Sequence, residues 1–181
     1  MGKYSHLNQA MGLTIGHEFG CGIGTKVFTH GAYESILDGF PVQGGSVKIG
    51  NKVWIPNAWV NPGITIGNNV VIAAMSLVNK DIPSRCLAGG IPIKILKEDV
   101  YPRDFNDLER IQMLKDILVQ FQGIKIVANG IIVGDTFFDV SAKCITGIAN
   151  DRTEAMKNQL RRNGIRFRYY NKNGVYEVWD D

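Results

Sequence analysis

Between residues 49 and 82 the chain repeats a short unit about every six residues. The units read IGNKVW, IPNAWV, NPGIT, IGNNVV, IAAMSL and VNKDI. Most begin with Ile or Val, often followed by a small residue, and NPGIT is a residue short. The same rhythm runs upstream from Ile15 through IGHEFG, CGIGTK and VFTHGA. Such a period fits neither an α-helix nor a simple strand, and it is typical of a β-solenoid.

The repeat predicts a stack of triangular turns. Three short strands make one turn, and the apolar residue at the head of each unit points inward and stacks on its equivalent in the next turn. Small residues beside it suit the corners, where a bulky side chain would clash or the backbone needs positive φ. Residues 13–30, 47–64 and 65–82 each supply about one turn, and about three repeats are needed for a stable stack. A sandwich of ordinary strands would not explain this spacing.

The repeat occupies the first part of the chain and is interrupted once, by an excursion loop at residues 31–46. Residues 83–102 contain Pro and Gly at turn positions and close the solenoid, so we assign residues 1–102 to one domain. Residues 103–181 contain a helix that ends at Gly123, two or three short strands, and a second helix capped by Asn150 or Asp151. A hairpin turning at Asn173-Gly174 follows. We therefore predict a mainly β fold, a parallel β-helix followed by a small α+β domain of unknown role.

Composition argues against several classes of protein. The net charge of +3 over 181 residues is too small to favour nucleic acid or a membrane surface as partner. No run of about 18 apolar residues occurs, so no membrane span is expected. The N-terminus lacks the apolar core of a signal peptide, which favours the cytoplasm. The cysteines and histidines are widely spaced, so neither a disulfide framework nor a metal site is expected.

Residues 49–97 resemble a known family of enzymes. The runs NPGITIG, VNKDIP and LAGGIPIKILK are similar in sequence and order to landmarks of the hexapeptide-repeat acyltransferases, above all the sugar O-acetyltransferases of the galactoside and maltose acetyltransferase type. The resemblance covers about residues 13–98, roughly half of the chain, and does not extend to residues 103–181. It implies left-handed coiling, a homotrimer and acetyl-CoA as co-substrate, none of which follows from the repeat alone.

The resemblance also assigns a catalytic histidine. In this family a loop commonly leaves the solenoid beside that residue, and His30 ends a turn directly before the loop at residues 31–46. A neutral imidazole can take the proton of a sugar hydroxyl as the hydroxyl attacks a thioester, and a backbone N–H would stabilise the oxyanion. Glu34 or Asp38 would orient the imidazole or bind sugar hydroxyls. His17 has an outward position in its unit, where it either reaches the substrate or is a surface residue.

The residues expected to bind acetyl-CoA are assigned by resemblance. Trp54 and Asn57 match positions near the pantetheine arm. Ala74 and Ser76 lie in IAAMSL, where the family has Gly-Ala-Gly-Ser, so both glycines are replaced and the space beside the arm is narrower. The residues matched to the nucleotide end, or able to supply positive charge for phosphates, are Asn79, Lys80 and Lys94.

We therefore expect a cytoplasmic, acetyl-CoA-dependent acetyltransferase that modifies a hydroxyl of a sugar or nucleotide-sugar, with surface polysaccharide synthesis as one setting for it. Two alternatives stay open. One is a non-catalytic trimeric scaffold that binds partners, and the other is an N-acetyltransferase acting on an amino sugar. The sequence separates neither hydroxyl from amine acceptors nor one acyl chain length from another.

Overall fold

The computed structural model describes residues 2–32 and 34–179. The chain divides into two compact units, Met1–Arg103 and Asp104–Asp181, which we call the solenoid and the C-terminal unit. Strands dominate and helices are few, so the predicted mainly β fold class is confirmed. In the described part of the chain, no helix is long and apolar enough to cross a bilayer.

The solenoid is built from short strands. In chain order they are β1 (His6–Leu7), β2 (Leu13–Ile15), β3 (Gly20–Cys21), β4 (Lys26–Val27), β5 (His30–Gly31), β6 (Gln43–Gly44), β7 (Val47–Ile49), β8 (Trp54–Ile55), β9 (Ala58–Val60), β10 (Thr65–Ile66), β11 (Val71–Ile72), β12 (Ser76–Val78), β13 (Leu87–Gly89) and β14 (Lys94–Lys97). Most of them form three parallel sheets: face 1 contains β2, β7 and β10; face 2 contains β3, β8, β11 and β13; face 3 contains β1, β4, β9 and β12. The faces recur in this order along the chain, so each circuit is one turn of a three-sided coil.

Successive turns stack in register. Thr65 pairs with Lys48 on face 1 and Ser76 pairs with Ala58 on face 3, so paired residues lie about three repeat units apart in sequence. Strand β2 pairs with β7 in the same way, although the loop at residues 31–46 separates them in the sequence. The loop therefore leaves the coil and returns without disturbing the stack.

Inward-facing aliphatic side chains fill the coil. The buried residues from its central turns include Val47, Ile49, Val53, Ile55, Val60, Ile66, Val70, Ile72 and Val78. Between faces 1 and 2 the turns approach so closely that only small residues fit. A Cβ on Gly16, Gly50 or Gly67 would lie 2.4, 2.7 or 2.5 Å from a side-chain oxygen of the next turn. This contact explains the small residue that follows the head of many units.

The three corners between the faces differ in chemistry. The asparagine corner, between faces 1 and 2, carries a ladder of side chains. Asn51 Oδ1 accepts the His17 N–H at 2.7 Å, Asn68 Oδ1 accepts the Asn51 N–H at 2.8 Å, and Ser84 Oγ accepts the Asn68 N–H at 2.9 Å. We call the corner between faces 2 and 3 (residues 22–25, 56–57 and 73–75) the cavity corner. The corner between faces 3 and 1 (residues 28–30, 61–64 and 79–81) is the histidine corner.

Both ends of the coil carry a partial turn. Before the first full turn, β1 pairs with β4, and the N–H groups of His6 and Asn8 donate to the carbonyls of Thr25 and Val27, each at 2.9 Å. At the other end β13 continues face 2, and β14 folds back antiparallel upon it. Pairing of the backbone thus extends beyond the three turns that the repeat predicts.

The C-terminal unit combines an antiparallel sheet with two helices. Its elements are α1 (Asp107–Ile117), β15 (Lys125–Val127), β16 (Gly130–Val133), β17 (Thr136–Asp139), β18 (Cys144–Ile148), α2 (Asp151–Arg162), β19 (Tyr169–Lys172) and β20 (Val175–Val178). The sheet has the order β15-β16-β17-β18-β20-β19. Both helices contribute to one core: Leu114 from α1 and Met156 and Leu160 from α2 are buried with Ile131 and Phe138 of the sheet.

Local signals in this unit predict some boundaries better than others. Asn150 caps α2 through the N–H groups of Arg152 and Thr153, and the hairpin turns at Asn173-Gly174 with positive φ at both residues, as the sequence predicts. Helix α1, however, ends at Ile117 rather than near Gly123, because the chain turns there and buries Leu118. Four strands, not two or three, lie between the helices.

A polar network joins α2 to the hairpin of β19 and β20. Lys157 Nζ lies 2.6 Å from Glu154 Oε2 and 2.7 Å from Tyr169 Oη, and the buried Tyr176 hydroxyl donates to the same carboxylate. Burial alone would raise the pKa of Glu154, but the hydrogen bonds from Lys157 and Tyr176 outweigh it and hold that pKa below its ordinary value.

Candidate active site

His30 lies at the histidine corner of the first full turn. It begins β5, which pairs antiparallel with β6 through His30 and Gly44, so the chain leaves the coil at this residue. The preceding residue, Thr29, is fully buried, whereas the His30 side chain is exposed. The imidazole therefore stands on the surface, at the base of the loop.

The imidazole contacts Asn8, a residue that the sequence analysis did not identify. His30 Nδ1 lies 3.2 Å from Asn8 Oδ1. The same oxygen accepts the Ala10 N–H at 3.1 Å and the Thr29 hydroxyl, and Thr29 Oγ1 in turn accepts the Met11 N–H at 3.1 Å. These bonds tie the segment before β2 to the end of β4. No sequence motif identifies Asn8. It follows β1, one turn before His30 in the coil.

The loop places the two predicted carboxylates on the surface. A short 3₁₀ helix, Ile36–Asp38, begins after Ser35, whose hydroxyl accepts the Leu37 N–H at 3.1 Å. Glu34 and Asp38 are both exposed, and in the described part of the chain neither carboxylate contacts the imidazole. Asn8 makes the contact that we expected from one of them. Their role in binding sugar hydroxyls stays a prediction.

The cavity corner holds a cavity of about 270 Å³. Its lining residues are Asn57, Ala58, Trp59, Met75, Ser76, Leu77 and Ile91. Two of the residues matched to the pantetheine arm, Asn57 and Ser76, are among them, and exposed Ala74 lies on the same corner. The Ser76 hydroxyl is engaged inside the protein, since it donates to the Ala73 carbonyl at 2.7 Å and accepts the Gly90 N–H at 3.0 Å.

Met75 replaces a glycine of the family at this corner. Its backbone has φ 57°, a left-handed conformation in which a glycine carries no strain. The side chain is 69% exposed and borders the cavity. The narrowing that the sequence predicts beside the arm therefore comes from an exposed, flexible side chain and not from the backbone.

Trp54 lies on the outer surface of face 2 rather than in the core. Its side chain is 44% exposed and covers Gly20 of the preceding turn, where a Cβ would lie 2.8 Å from the indole ring. The ring is therefore accessible to a ligand on this face.

The remaining predicted residues are spread over the solenoid. Asn79 and Lys80 are exposed on the histidine corner, two turns beyond His30 and so roughly 10 Å along the coil. Lys94 is exposed on β14. His17 lies on the asparagine corner, so one copy of the chain does not bring it to His30.

The candidate site thus falls into two groups of residues on different corners. His30, Asn79 and Lys80 lie on the histidine corner, whereas Asn57 and Ala74 lie on the cavity corner. Strand β9, three residues long, separates these corners, which places them roughly 13 Å apart across face 3. One copy of the chain therefore does not gather the predicted catalytic and donor-binding residues at a single point.

A metal centre finds no support in the described ranges. No group of three or more His, Cys, Asp or Glu side chains there is arranged to hold a metal ion. Cys21, Cys86 and Cys144 are free. Burial raises the pKa of the Cys86 and Cys144 thiols, with smaller contributions from Glu98 and Asp139, so neither has the lowered pKa of an activated nucleophile.

Comparison with known proteins finds similar sequences for part of the chain. No protein-family model matches the chain. Galactoside O-acetyltransferase of Escherichia coli is 41% identical over 75 residues, which are 41% of this chain and 34% of that protein. Chloramphenicol acetyltransferase of Klebsiella aerogenes is 47% identical over 68 residues, 37% of this chain and 32% of that protein. The chain spans about a third of the length of these relatives.

A solved structure of galactoside acetyltransferase in complex with coenzyme A is 31% identical to this chain in sequence. The aligned part covers 52% of each of the two chains, with a TM-score of 0.44. Part of this chain is similar in sequence to known acetyltransferases, and the resemblance that its motifs indicate is confirmed.

Proposed function

We propose that this chain is an acetyl-CoA-dependent acetyltransferase whose acceptor is a hydroxyl of a sugar or nucleotide-sugar. Its relatives are acetyltransferases, and one of them is named for galactosides. The observation that carries the proposal is the exposed imidazole at the point where the coil is interrupted. It is anchored through Nδ1, and among residues 2–32 and 34–179 its Nε2 atom has no hydrogen-bond partner.

The proposed reaction uses His30 as a general base. Its Nε2 accepts the proton of the acceptor hydroxyl while the hydroxyl oxygen attacks the carbonyl carbon of the thioester. The tetrahedral oxyanion then collapses, the C–S bond breaks, and the imidazolium returns the proton to the departing thiolate. The products are an acetyl ester and the free thiol of CoA. Assistance of this kind is typically worth about 10²–10⁴-fold in rate.

The cavity corner supports a place for the acyl donor. A cavity that is mostly apolar with a few polar groups suits an aliphatic arm that carries amides, and Asn57 offers both a donor and an acceptor. Lys80 and Lys94 would meet the phosphates as point charges. These assignments agree with the resemblance, and they make no use of a metal ion.

We further propose that the complete site forms between copies of the chain in a homotrimer of left-handed coils. The separation of the two corners on one copy supports this arrangement. In a ring of three copies joined by one repeated, heterologous contact, the histidine corner of one copy would lie beside the cavity corner of the next. Donor and base would then belong to different copies.

Release of free CoA in the presence of sugars and amino sugars tests the reaction. We expect His30→Ala to lower kcat by about 10²–10⁴-fold while leaving the affinity for acetyl-CoA, measured by calorimetry, unchanged. His6→Ala is the matched control, because it removes another exposed imidazole and should leave turnover intact. Wild-type turnover in His30→Ala would refute the mechanism. Failure of the wild type to bind acetyl-CoA would favour the scaffold, and turnover with amino sugars alone would favour the amine acceptor.

Mixed oligomers test the shared site. His30→Ala and Ala74→Trp each disable one corner, the second by filling the exposed cavity corner. If the site lies between copies, trimers assembled from an equal mixture regain about a quarter of wild-type activity, since that fraction of contacts joins two intact corners. If the whole site belongs to one copy, or if the chain is monomeric by light scattering, the mixture stays inactive and the trimer proposal is wrong.

A further inference from the structure

We propose that Asn8 is a positioning residue that sets which nitrogen of the His30 imidazole carries the proton. The inference rests on the proposed function for its purpose, since it explains how His30 is prepared to act as a base. The proposal concerns the tautomer of the His30 ring, which can be measured whether or not the chain transfers acetyl groups.

The atom of Asn8 that faces the imidazole is fixed by its other partners. An asparagine oxygen and nitrogen are hard to distinguish by shape alone, so the assignment must come from the hydrogen bonds. The Ala10 backbone N–H, which can only donate, points at this atom from 3.1 Å. The atom is therefore the amide oxygen Oδ1, which can only accept.

The identity of this atom determines the proton on the ring. His30 Nδ1 lies 3.2 Å from Oδ1, so a hydrogen bond between them needs a proton on Nδ1. A neutral imidazole has one N–H, so Nε2 then holds the lone pair that a general base requires. The Thr29 hydroxyl does not compete for this role, because its oxygen accepts the Met11 N–H and its proton goes to Oδ1.

Asn8 is itself held firmly. Its backbone N–H donates to the Val27 carbonyl at 2.9 Å, which places it directly above the end of β4. Its side-chain oxygen bonds to both the segment before β2 and to buried Thr29. The anchor therefore belongs to the stacked coil, whereas Glu34 and Asp38 belong to the exposed loop. A rigid acceptor defines the ring orientation better than a carboxylate on a loop.

Imidazole nitrogen spectra of the 181-residue chain test the tautomer directly. The chain has three histidines, so ¹⁵N-histidine labelling gives few signals, and His30→Ala identifies those of His30. In the neutral ring of the wild type we expect a protonated Nδ1 and an unprotonated Nε2. In Asn8→Leu, which keeps a similar size but removes the acceptor, we expect the Nε2–H form to become populated. In Asn8→Asp, which keeps an acceptor, we expect Nδ1–H to persist.

A second variant separates positioning from general damage to the fold. Thr29→Val removes the hydroxyl that bonds Asn8 and Met11 but leaves the contact between Asn8 and His30, so we expect lower stability with the wild-type tautomer. An Nε2–H form in the wild type, or an unchanged tautomer in folded Asn8→Leu, would overturn the proposal.

Kinetics add a readout for the reaction. We expect Asn8→Leu to lower kcat about tenfold or more with little change in KM for acetyl-CoA, and Asn8→Asp to recover most of the loss. If Asn8→Leu shows the changed tautomer but full kcat, the assigned role of Asn8 is wrong. If the wild type shows the expected tautomer but no transfer to any acceptor, the proposed function fails and the tautomer assignment stands.

Discussion

A substitution at Gly22 tests whether the turns stack as closely as the structure shows. Gly22 lies at the cavity corner, beneath Pro56 of the next turn, and its φ does not require glycine. A Cβ at this position would lie 1.8 Å from the Pro56 carbonyl oxygen. Because the Pro56 carbonyl belongs to the backbone between β8 and β9, the clash can be relieved only by moving the two turns apart.

The size of the effect follows from the contacts that this movement breaks. Bringing the clash to 3.0 Å requires a shift of about 1.2 Å. The Ile55 carbonyl accepts the Gly22 N–H at 2.8 Å and the Thr25 hydroxyl at 3.0 Å, and such a shift would break both bonds. At about 1 kcal/mol each, Gly22→Ala should lose about 2 kcal/mol of unfolding free energy before any gain from a stiffer unfolded chain.

Gly31 supplies the matched control. It also needs no left-handed φ, and a Cβ there would meet no atom within 4 Å. Both variants gain the same reduction in unfolded-chain entropy, so their difference in unfolding free energy, about 2 kcal/mol, isolates the clash. Urea unfolding at one protein concentration, followed by circular dichroism and tryptophan fluorescence, measures it. Equal stability of Gly22→Ala and Gly31→Ala would refute the stacking on which the cavity corner depends.

Three further predictions concern the two units. The pKa of Glu154 is lowered on folding, so the ionised side chain stabilises the fold above its unfolded pKa, and this effect is lost as the pH falls through the folded pKa. The C-terminal unit should therefore become less stable from about pH 5 downward, and the loss should be less steep in Glu154→Gln. Urea unfolding at several pH values would measure both. Asn68→Ala removes the acceptor for the Asn51 N–H and should cost about 1 kcal/mol in solenoid unfolding, whereas an unaffected solenoid would mean that the ladder adds nothing. Leu160→Ala empties a buried site between α2 and the sheet and should cost about 2–5 kcal/mol in the unfolding of the C-terminal unit, and a cost below that range would contradict its close packing.

The sequence predicts the coil well because each repeat unit reflects contacts that recur between successive turns. An apolar residue at the head of a unit is buried in its own turn and again against its neighbours, so one period describes both the strands and the stacking. The small residue after it records the close contact at the asparagine corner, as Gly50 and Gly67 show. The replacement of two family glycines by Ala73 and Met75 predicts a narrower corner, but the sequence does not show that Met75 adopts positive φ there.

The hydrogen-bond partner of the His30 imidazole could not be predicted, because no repeated pattern links the two residues. Asn8 reaches the imidazole across turns, and it lies before the repeat becomes recognisable, so neither spacing nor composition connects the two residues. Proximity in the sequence favours Glu34 and Asp38 instead. Their loop departs from the coil, however, and carries both carboxylates onto an exposed surface. Hydrogen bonding to the stacked backbone decides the outcome, and that information appears only in three dimensions.

The interruption at residues 31–46 suits the role that we propose for His30. In the next turn the chain passes from face 3 to face 1 directly through residues 61–64, and Gly63 lies against Gly45, where the loop returns to the coil. At His30 the chain leaves the coil instead, so the side chain is exposed while the preceding Thr29 stays buried. A regular repeat supplies rigidity, and a single departure from it supplies access. A base needs both, because its orientation must be fixed while one nitrogen remains open to the acceptor.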